Sequence, residues 1–194
     1  MPELPEVETV VRGLRRTVLN QIVESVYFKP PLIARKYFDG DLNRLVGRRF
    51  SDIRRRGKNI LIEFDDSQLL WVHLKMTGHF YYLPREDAID KHDHLIFYLK
   101  ENKHSLRFND YRRFGNIRLL KSDEISTQKE IEELGPEPLE ISRDDFMKFL
   151  DTHPRTAFKF FTPIIRVFSK RLRSNNEHFR DLLIWYLKKE AKPS

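Results

Sequence analysis

The first residues of the chain could carry out covalent chemistry. Pro2 follows the initiator Met1, and a small second residue normally permits removal of that methionine. Proline would then carry a free secondary amine, and because a terminal amine titrates near ~8, a usable fraction is neutral at cellular pH. Such an amine can attack a carbonyl-like carbon to form a cationic iminium ion, with Glu3 beside it to move protons. Pro2 and Glu3 would also suit a purely structural role at the start of a helix, and their residue types alone do not distinguish the two roles.

A second candidate site is the basic run that ends at Lys58. Its six cations are Arg48, Arg49, Arg54, Arg55, Arg56 and Lys58. A run of this kind is usually a solvated face of a protein, but lysine and arginine also bind the phosphate oxygens of nucleic acids. The residue types alone leave both interpretations open.

The sequence His92-Asp93-His94 consists of residue types that bind metal ions. Successive side chains of a regular strand point to opposite faces, so these three could not all face one ion. The chain also has no cysteine, which excludes disulfides, thiol catalysis and Cys-ligated zinc or iron–sulfur sites. We therefore expect no metal site and no cofactor.

The charge balance narrows the class of partner. The 194 residues include 36 Lys or Arg and 29 Asp or Glu, a formal net charge of +7. A basic chain favours an anionic partner, nucleic acid first. The excess lies wholly in residues 155–194, which hold ten basic and three acidic residues. No apolar run approaches the roughly 20 residues of a membrane-spanning helix, and the charged N-terminus lacks a signal-peptide pattern, so we expect a cytoplasmic protein.

Periodicity predicts the elements that position these residues. Apolar residues at helical spacing predict a helix over 3–18: Val7, Val11, Leu14 and Val18. Short runs of β type follow at 22–28, 60–64, 69–74, 79–83, 94–99, 104–108 and 116–120. Residues 65–67 and 101–103 are typical of hairpin loops. The helical pattern returns from about residue 123, with a helix start at Ser142.

Many short strands after one helix predict an α+β fold. We expect a β-sandwich N-terminal domain over residues 1–135, with the N-terminal helix packed on it. A linker and a short helical C-terminal segment would follow over residues 136–194, beginning at Pro136-Glu137-Pro138. The tail over 155–194 is basic and aromatic, and we expect it to be helical.

Five motifs occur in order along the first 139 residues. They are Met1–Thr9, Arg56–Leu61, His73–Gly78, Asn109–Gly115 and Leu134–Leu139. The set resembles the formamidopyrimidine-DNA glycosylase family, bacterial bifunctional enzymes that excise oxidised purines. The resemblance implies base excision from damaged double-stranded DNA, with formamidopyrimidine and 8-oxoguanine as the lesions. It also implies AP lyase nicking through a Schiff base at an N-terminal proline, by a monomer with no obligate protein partner, associated with the nucleoid.

The resemblance also implies roles for individual residues. Pro2 would be the nucleophile on C1′ of the damaged nucleotide, and Glu3 the acid that protonates or opens the sugar ring. The N-terminus of a helix lowers the pKa of a carboxyl, whereas a general acid needs a raised pKa, so burial against the nucleotide would have to win at Glu3. Glu6 is either a first-turn helix charge or a contact to the opened sugar. Lys58 would contact phosphate and assist proton transfer.

The remaining implied roles concern the DNA duplex. Removing a base from the stack leaves a hole, which Met76 and Phe114 would fill as apolar wedges while Arg112 hydrogen-bonds the estranged cytosine. His92 would contact a phosphate. Tyr111 stands where the family usually has a proline.

The resemblance ends near residue 161. The family's second domain carries a glycine-containing helix–two-turn–helix element and a four-cysteine zinc finger, but residues 136–194 hold no cysteine and no glycine. In one interpretation the basic tail replaces that domain, with Ser169–Arg173 and Lys188-Lys189 holding phosphates. In another, the chain is a truncated or frameshifted family member that binds DNA weakly or is inactive. A non-catalytic nucleic-acid-binding module is a third interpretation.

Overall fold

The computed structural model describes residues 2–29, 38–39, 41–135, 137 and 140–190; for 38–39, 178–179 and 182–190 it describes the backbone alone. The chain divides into two compact units, Met1–Glu137 and Pro138–Ser194. The predicted phosphate contacts at Lys188 and Lys189, and the predicted helical state of 191–194, lie outside this description.

The first unit begins with helix α1 (Leu4–Thr17), close to the predicted bounds. Its start and end suit the helix dipole, because Glu6 lies in the first turn while Arg15 and Arg16 lie in the last. The buried face carries Val7, Val11 and Leu14, as their spacing predicts.

Two sheets follow α1. The four-stranded sheet has the order β1-β7-β8-β6, made of β1 (Val23–Phe28), β6 (Gly78–Pro84), β7 (Asp93–Leu99) and β8 (His104–Asp110). The five-stranded sheet has the order β2-β9-β5-β4-β3, made of β2 (Phe38–Asp39), β3 (Phe50–Arg56), β4 (Asn59–Phe64), β5 (Gln68–His73) and β9 (Asn116–Lys121). Within the described residues all strand pairs are antiparallel except β2 with β9.

Both sheets and α1 contribute side chains to one hydrophobic core. Three fully or almost fully buried phenylalanines join the sheets, because the ring of Phe97 on β7 meets that of Phe50 on β3 edge-on at 5.6 Å, and Phe50 lies 4.9 Å from Phe64 on β4. Residues 122–127 and 42–45 form short 3-10 helices, and α2 (Lys129–Glu132) follows the first of these. The predicted α+β class, a β-sandwich with a packed helix, is confirmed.

Strand β3 was not among the predicted strands, because the sequence there has no clean alternation. A β-bulge shifts the register between Phe50 and Asp52, so the buried Phe50 and Ile53 are three residues apart instead of two or four. The strand lies at the edge of its sheet, where natural proteins place charged side chains. Half of the basic run, Arg54, Arg55 and Arg56, therefore lies on an edge strand.

The second unit consists of α3 (Arg143–Thr152) and α4 (Pro154–Glu190). The predicted start at Ser142 is confirmed, since the Ser142 hydroxyl accepts a hydrogen bond from the Asp145 amide at 3.1 Å. Phe146 of α3 meets Phe160 of α4, with ring centroids 6.0 Å apart. Among the described residues, no helix combines the length and the apolar character that crossing a bilayer requires.

Candidate active site and nucleic-acid interface

An ion pair joins the start of α1 to the start of β4. Glu3 is the extended residue that precedes the helix, and Lys58 follows Gly57, whose φ of +57° shapes the β3–β4 turn. The Lys58 Nζ lies 2.8 Å from Glu3 Oε2. Pro2 is adjacent to Glu3 in the chain and half-buried, so the fold brings together the three residues predicted to be catalytic.

The electrostatics of this pair favour an ionised Glu3. The hydrogen bond and charge of Lys58 lower the pKa of the Glu3 carboxyl below its ordinary value. The Glu3 side chain is 64% exposed, so burial opposes this shift only weakly. The sequence left open whether the pKa of Glu3 is lowered by the helix start or raised by burial. In the free protein it is lowered, and Lys58 is the main cause.

The turn that carries Lys58 is fixed by a residue that the sequence did not single out. Glu137 accepts a hydrogen bond from the Gly57 amide at 2.6 Å and pairs with Arg55 at 2.7 Å. Arg55 also contacts Glu8 of α1 at 3.2 Å. Burial alone would raise the pKa of Glu137, but the hydrogen bonds from Arg55 and Gly57 hold this pKa below its ordinary value. One carboxylate therefore ties the end of the first unit to the Lys58 turn.

A cleft of about 420 Å³ opens beside Lys58. Its lining includes His73 and Lys75 at the end of β5, Asn116 at the start of β9, and Trp71. The Asn116 Oδ1 is buried and has no hydrogen-bond partner within the described residues. An unsatisfied buried acceptor is uncommon and could bind a donor group of a ligand in the cleft.

His73 is a neutral member of this cleft. Burial, followed by the charges of Lys75 and Lys58, lowers the pKa of His73 to about 4. Its Nδ1 accepts a hydrogen bond from the Lys75 amide at 3.0 Å, so Nε2 carries the proton. Lys75 has a φ of +54°, and this turn leads from the cleft directly to Met76.

The three predicted void-filling residues lie on two loops. Met76 lies between β5 and β6, and is 47% exposed. Arg112 and Phe114 lie between β8 and β9; Phe114 is also 47% exposed, and the Arg112 Cζ lies 5.0 Å from the centre of its ring. These apolar side chains are thus presented to solvent instead of packing in the core.

Asp110, at the end of β8, joins the two loops. Its fully buried carboxylate accepts hydrogen bonds from the Thr77 hydroxyl at 2.5 Å and the Gly115 amide at 2.6 Å. The Arg112 amide donates in turn to the Thr77 hydroxyl at 3.1 Å. At Gly115 a Cβ would lie 2.7 Å from the Phe108 ring, so glycine is required by close approach. Apart from its place in a motif, no sequence pattern singles out Asp110.

His92 lies next to the second of these loops. Its ring meets that of Tyr111 edge-on at 5.2 Å. The side chains of its neighbours make other contacts. The Asp93 carboxylate accepts a hydrogen bond from the Asn109 amide group at 2.8 Å, and His94 Nε2 lies 3.1 Å from the Asp110 carbonyl oxygen. Among the described residues, no three His, Cys, Asp or Glu side chains are placed to hold a metal ion.

Known proteins resemble this unit closely. The family model described as the formamidopyrimidine-DNA glycosylase N-terminal domain matches residues 1–117. Formamidopyrimidine-DNA glycosylase of Desulforamulus reducens is 42% identical over 144 residues, covering 73% of this chain and 52% of that protein. The enzyme of the same name from Acinetobacter baylyi is 45% identical over 139 residues, covering 72% and 49%.

Solved structures also resemble this chain. A complex of Lactococcus lactis Fpg with DNA containing an abasic site aligns at a TM-score of 0.64 and 32% identity, covering 71% of this chain and 51% of the Fpg chain. The chain spans about half the length of the curated relatives it matches. The matched region holds Pro2, Glu3 and Lys58 together with both loops that meet at Asp110. Since the family model covers more than half of the sequence, the chain belongs to the formamidopyrimidine-DNA glycosylase family.

Proposed function

We propose that the chain is a base-excision repair DNA glycosylase with AP lyase activity, which removes oxidised purines through a Schiff base at Pro2. The observation that carries the proposal is the Glu3–Lys58 ion pair at 2.8 Å, next to that proline. A nucleophilic amine needs a proton donor and acceptor within reach, and this pair supplies both.

In the first step the lone pair of the Pro2 nitrogen attacks C1′ of the damaged nucleotide. The C1′–N bond to the base breaks, its electron pair leaves with the base, and the base takes up a proton. The Pro2 nitrogen then loses its N–H proton, and the freed electron pair forms the C1′=N bond as the C1′–O4′ bond breaks. The ring oxygen takes up a proton, and C1′ becomes an iminium carbon. The iminium ion withdraws electrons, so that loss of a C2′ proton expels the 3′ phosphate and nicks the strand; water then releases the sugar remnant from Pro2.

Glu3 has to acquire a proton before it can act as the acid. In the free protein Lys58 lowers its pKa. A DNA phosphate that draws the Lys58 ammonium away would raise the pKa of Glu3, and packing of the nucleotide against the carboxyl would raise it further. DNA binding would in this way prepare the acid.

The loops that meet at Asp110 would hold the distorted duplex. Met76 and Phe114 would enter the hole left by the extruded nucleotide, at a cost of a few kcal/mol in lost stacking. Arg112 would hydrogen-bond the estranged cytosine, and His92 would contact a phosphate. Damaged double-stranded DNA is thus the proposed partner of a cytoplasmic, monomeric protein, with no metal or other cofactor.

A trapping experiment tests the enzyme proposal. The protein, with loss of Met1 verified by mass, is incubated with a duplex carrying 8-oxoguanine or an abasic site in the presence of borohydride. We expect a covalent adduct at the proline, because borohydride reduces the iminium ion to a stable amine. An N-terminal extension that leaves Pro2 inside the chain should abolish the adduct, whereas Pro5→Ala, a matched change in the same segment, should preserve it.

A non-catalytic DNA-binding module is the second candidate, and the lowered pKa of Glu3 favours it because a carboxylate cannot donate a proton. This candidate predicts binding of the same duplexes without any adduct, and no effect of the N-terminal extension on affinity. The absence of an adduct at enzyme concentrations that saturate the DNA would exclude the enzyme and leave the binding module.

A further inference from the structure

We propose that Tyr111 and His92 together bind one phosphate group of the DNA backbone. The inference rests on the proposed function, because it adds a contact to the DNA interface that the loops at Asp110 would form. Tyr111 would be the new member of that interface: the resemblance assigns it no role, and it stands where a proline is usual.

The Tyr111 side chain is exposed and its hydroxyl is available to a ligand. Tyr111 is 67% exposed, although a tyrosine side chain is a large apolar surface. Its hydroxyl forms no hydrogen bond with any described residue, whereas the Tyr82 hydroxyl accepts a hydrogen bond from Asn102 at 2.8 Å. A free phenolic donor on an exposed loop is a group that nucleic-acid-binding proteins use to hold phosphate.

The second observation is the contact with His92. The two rings meet edge-on, with their centroids 5.2 Å apart at an angle of 72°. The Nδ1 of His92 is buried and unpartnered in the described part of the chain, so Nε2 is the ring nitrogen left to face a ligand. With the proton on Nε2, the phenolic O–H and the imidazole N–H would be two donors on rings in contact, a set that suits a phosphate with several acceptor oxygens.

The backbone beneath the two rings is fixed. The Asp110 amide donates to the His92 carbonyl at 3.0 Å, and the Arg113 amide donates to the Asp110 carbonyl at 3.3 Å. Because Asp110 also binds the loop of Met76 through Thr77, the Tyr111–His92 pair is held in register with that loop. A phosphate bound by the pair would thus orient the duplex towards Met76 and Arg112.

The charges around the pair permit an anion. The carboxylates of Asp93 and Asp110 are buried and occupied by Asn109 and by Thr77 and Gly115. Asp90 is a further nearby carboxylate, and it accepts a hydrogen bond from the His92 amide at 2.8 Å. Lys91, next to His92 in the chain, and Arg113, two residues after Tyr111, are exposed cations.

Tyr111→Phe is the decisive variant, since it keeps the ring and removes only the hydroxyl. Its control is Tyr81→Phe, because Tyr81 is also exposed and meets a histidine edge-on, His79, at 4.4 Å, but lies within strand β6. Fluorescence anisotropy of the full chain would give Kd for two duplexes, one undamaged and one with a tetrahydrofuran abasic analogue. We expect Tyr111→Phe to raise both Kd values about tenfold, as loss of a hydrogen bond to a charged group predicts, and Tyr81→Phe to change neither.

Two further readouts test the shared phosphate. His92→Ala and Tyr111→Phe should be less than additive in the double variant, because both donors serve one group. The slope of log Kd against log salt should stay unchanged in Tyr111→Phe, since a neutral donor releases no counterion.

Three results would overturn the inference while leaving the proposed function intact. They are wild-type Kd values in Tyr111→Phe, a loss confined to Tyr111→Ala, which would indicate stacking by the ring, and full additivity with His92→Ala. If the wild-type protein binds neither duplex, the inference and the proposed function both fail.

Discussion

The Lys58 ammonium lies 2.8 Å from the Glu3 carboxylate, and it reaches that position from a turn fixed by a third residue, Glu137. The pair has an unequal environment, with Glu3 the more exposed partner. An exposed carboxylate can be reached by a nucleotide, and its protonation depends on whether Lys58 stays. The position of one lysine therefore controls the proton at the residue next to Pro2.

Replacing Lys58 with methionine should raise the pKa of Glu3 towards its ordinary value. Lys58 lowers this pKa in the wild-type protein, so its loss should move the alkaline limb of the pH profile for borohydride trapping, where the acid Glu3 loses its proton, to higher pH. The trapping rate should also fall by about 10²-fold, the lower range for loss of acid–base assistance. The control is Lys103→Met, which removes a lysine for which the structure records no ion pair among the described residues. An unmoved alkaline limb in Lys58→Met would show that the limb does not report Glu3.

The site could be predicted from the sequence only where local chemistry suffices. Pro2, Glu3 and Lys58 lie in motifs that can be identified along the chain, and the apolar spacing of Val7, Val11 and Leu14 predicts α1. Strand β3 was not predicted, because a β-bulge interrupts the alternation of buried and exposed residues along it.

The roles of Asp110 and Glu137 were not predicted either, for a different reason. The role of each consists of hydrogen bonds to residues far away in the chain, from Asp110 to Thr77 and from Glu137 to Gly57. No local pattern encodes such a partner, so these residues could be identified only once the strands were placed beside one another.

Glu137→Gln should destabilise the first unit. The Glu137 side chain is 7% exposed, and its loss of charge leaves Arg55 without its main partner, which should cost about 2 kcal/mol in the free energy of unfolding. Urea denaturation followed by tryptophan fluorescence would measure it. Glu133→Gln is the control, since Glu133 is largely exposed and pairs with Lys129 only at 3.7 Å, so its stability should stay within about 0.5 kcal/mol of wild type.

The same carboxylate predicts a pH dependence of stability. The pKa of Glu137 is lower in the folded protein than its ordinary value, so the unfolded chain binds the proton more tightly. The stabilisation is therefore fully present above the unfolded pKa and is lost as the pH falls through the folded pKa. Glu137→Gln should flatten the acid side of the stability profile between these two pKa values, and an equal slope in both proteins would contradict this assignment.

His73 should add a second, separate acid-side loss. Its pKa of about 4 lies below the ordinary value of 6.5, so below pH 6.5 the unfolded chain binds more protons and stability falls as the pH is lowered towards 4. His73→Gln should remove this slope between those values. The control His153→Gln changes an exposed histidine of the second unit, and its profile for unfolding of the first unit should follow the wild type.

Met76→Ala should weaken binding to damaged DNA selectively. A wedge is needed only where the stack is opened, so Kd for a duplex with a tetrahydrofuran abasic analogue should rise about tenfold, an apolar side chain of this size being worth roughly 1.5–3 kcal/mol when buried. Kd for the undamaged duplex should change little. Met147→Ala provides a close match, because Met147 on α3 is 49% exposed against 47% for Met76, and we expect it to leave both values unchanged. Equal losses of affinity for the two duplexes in Met76→Ala would mean that Met76 contacts the DNA without entering the stack. Equal losses in Met76→Ala and Met147→Ala would mean that exposed methionines bind DNA through nonspecific hydrophobic contact, and not through the loop that Asp110 holds.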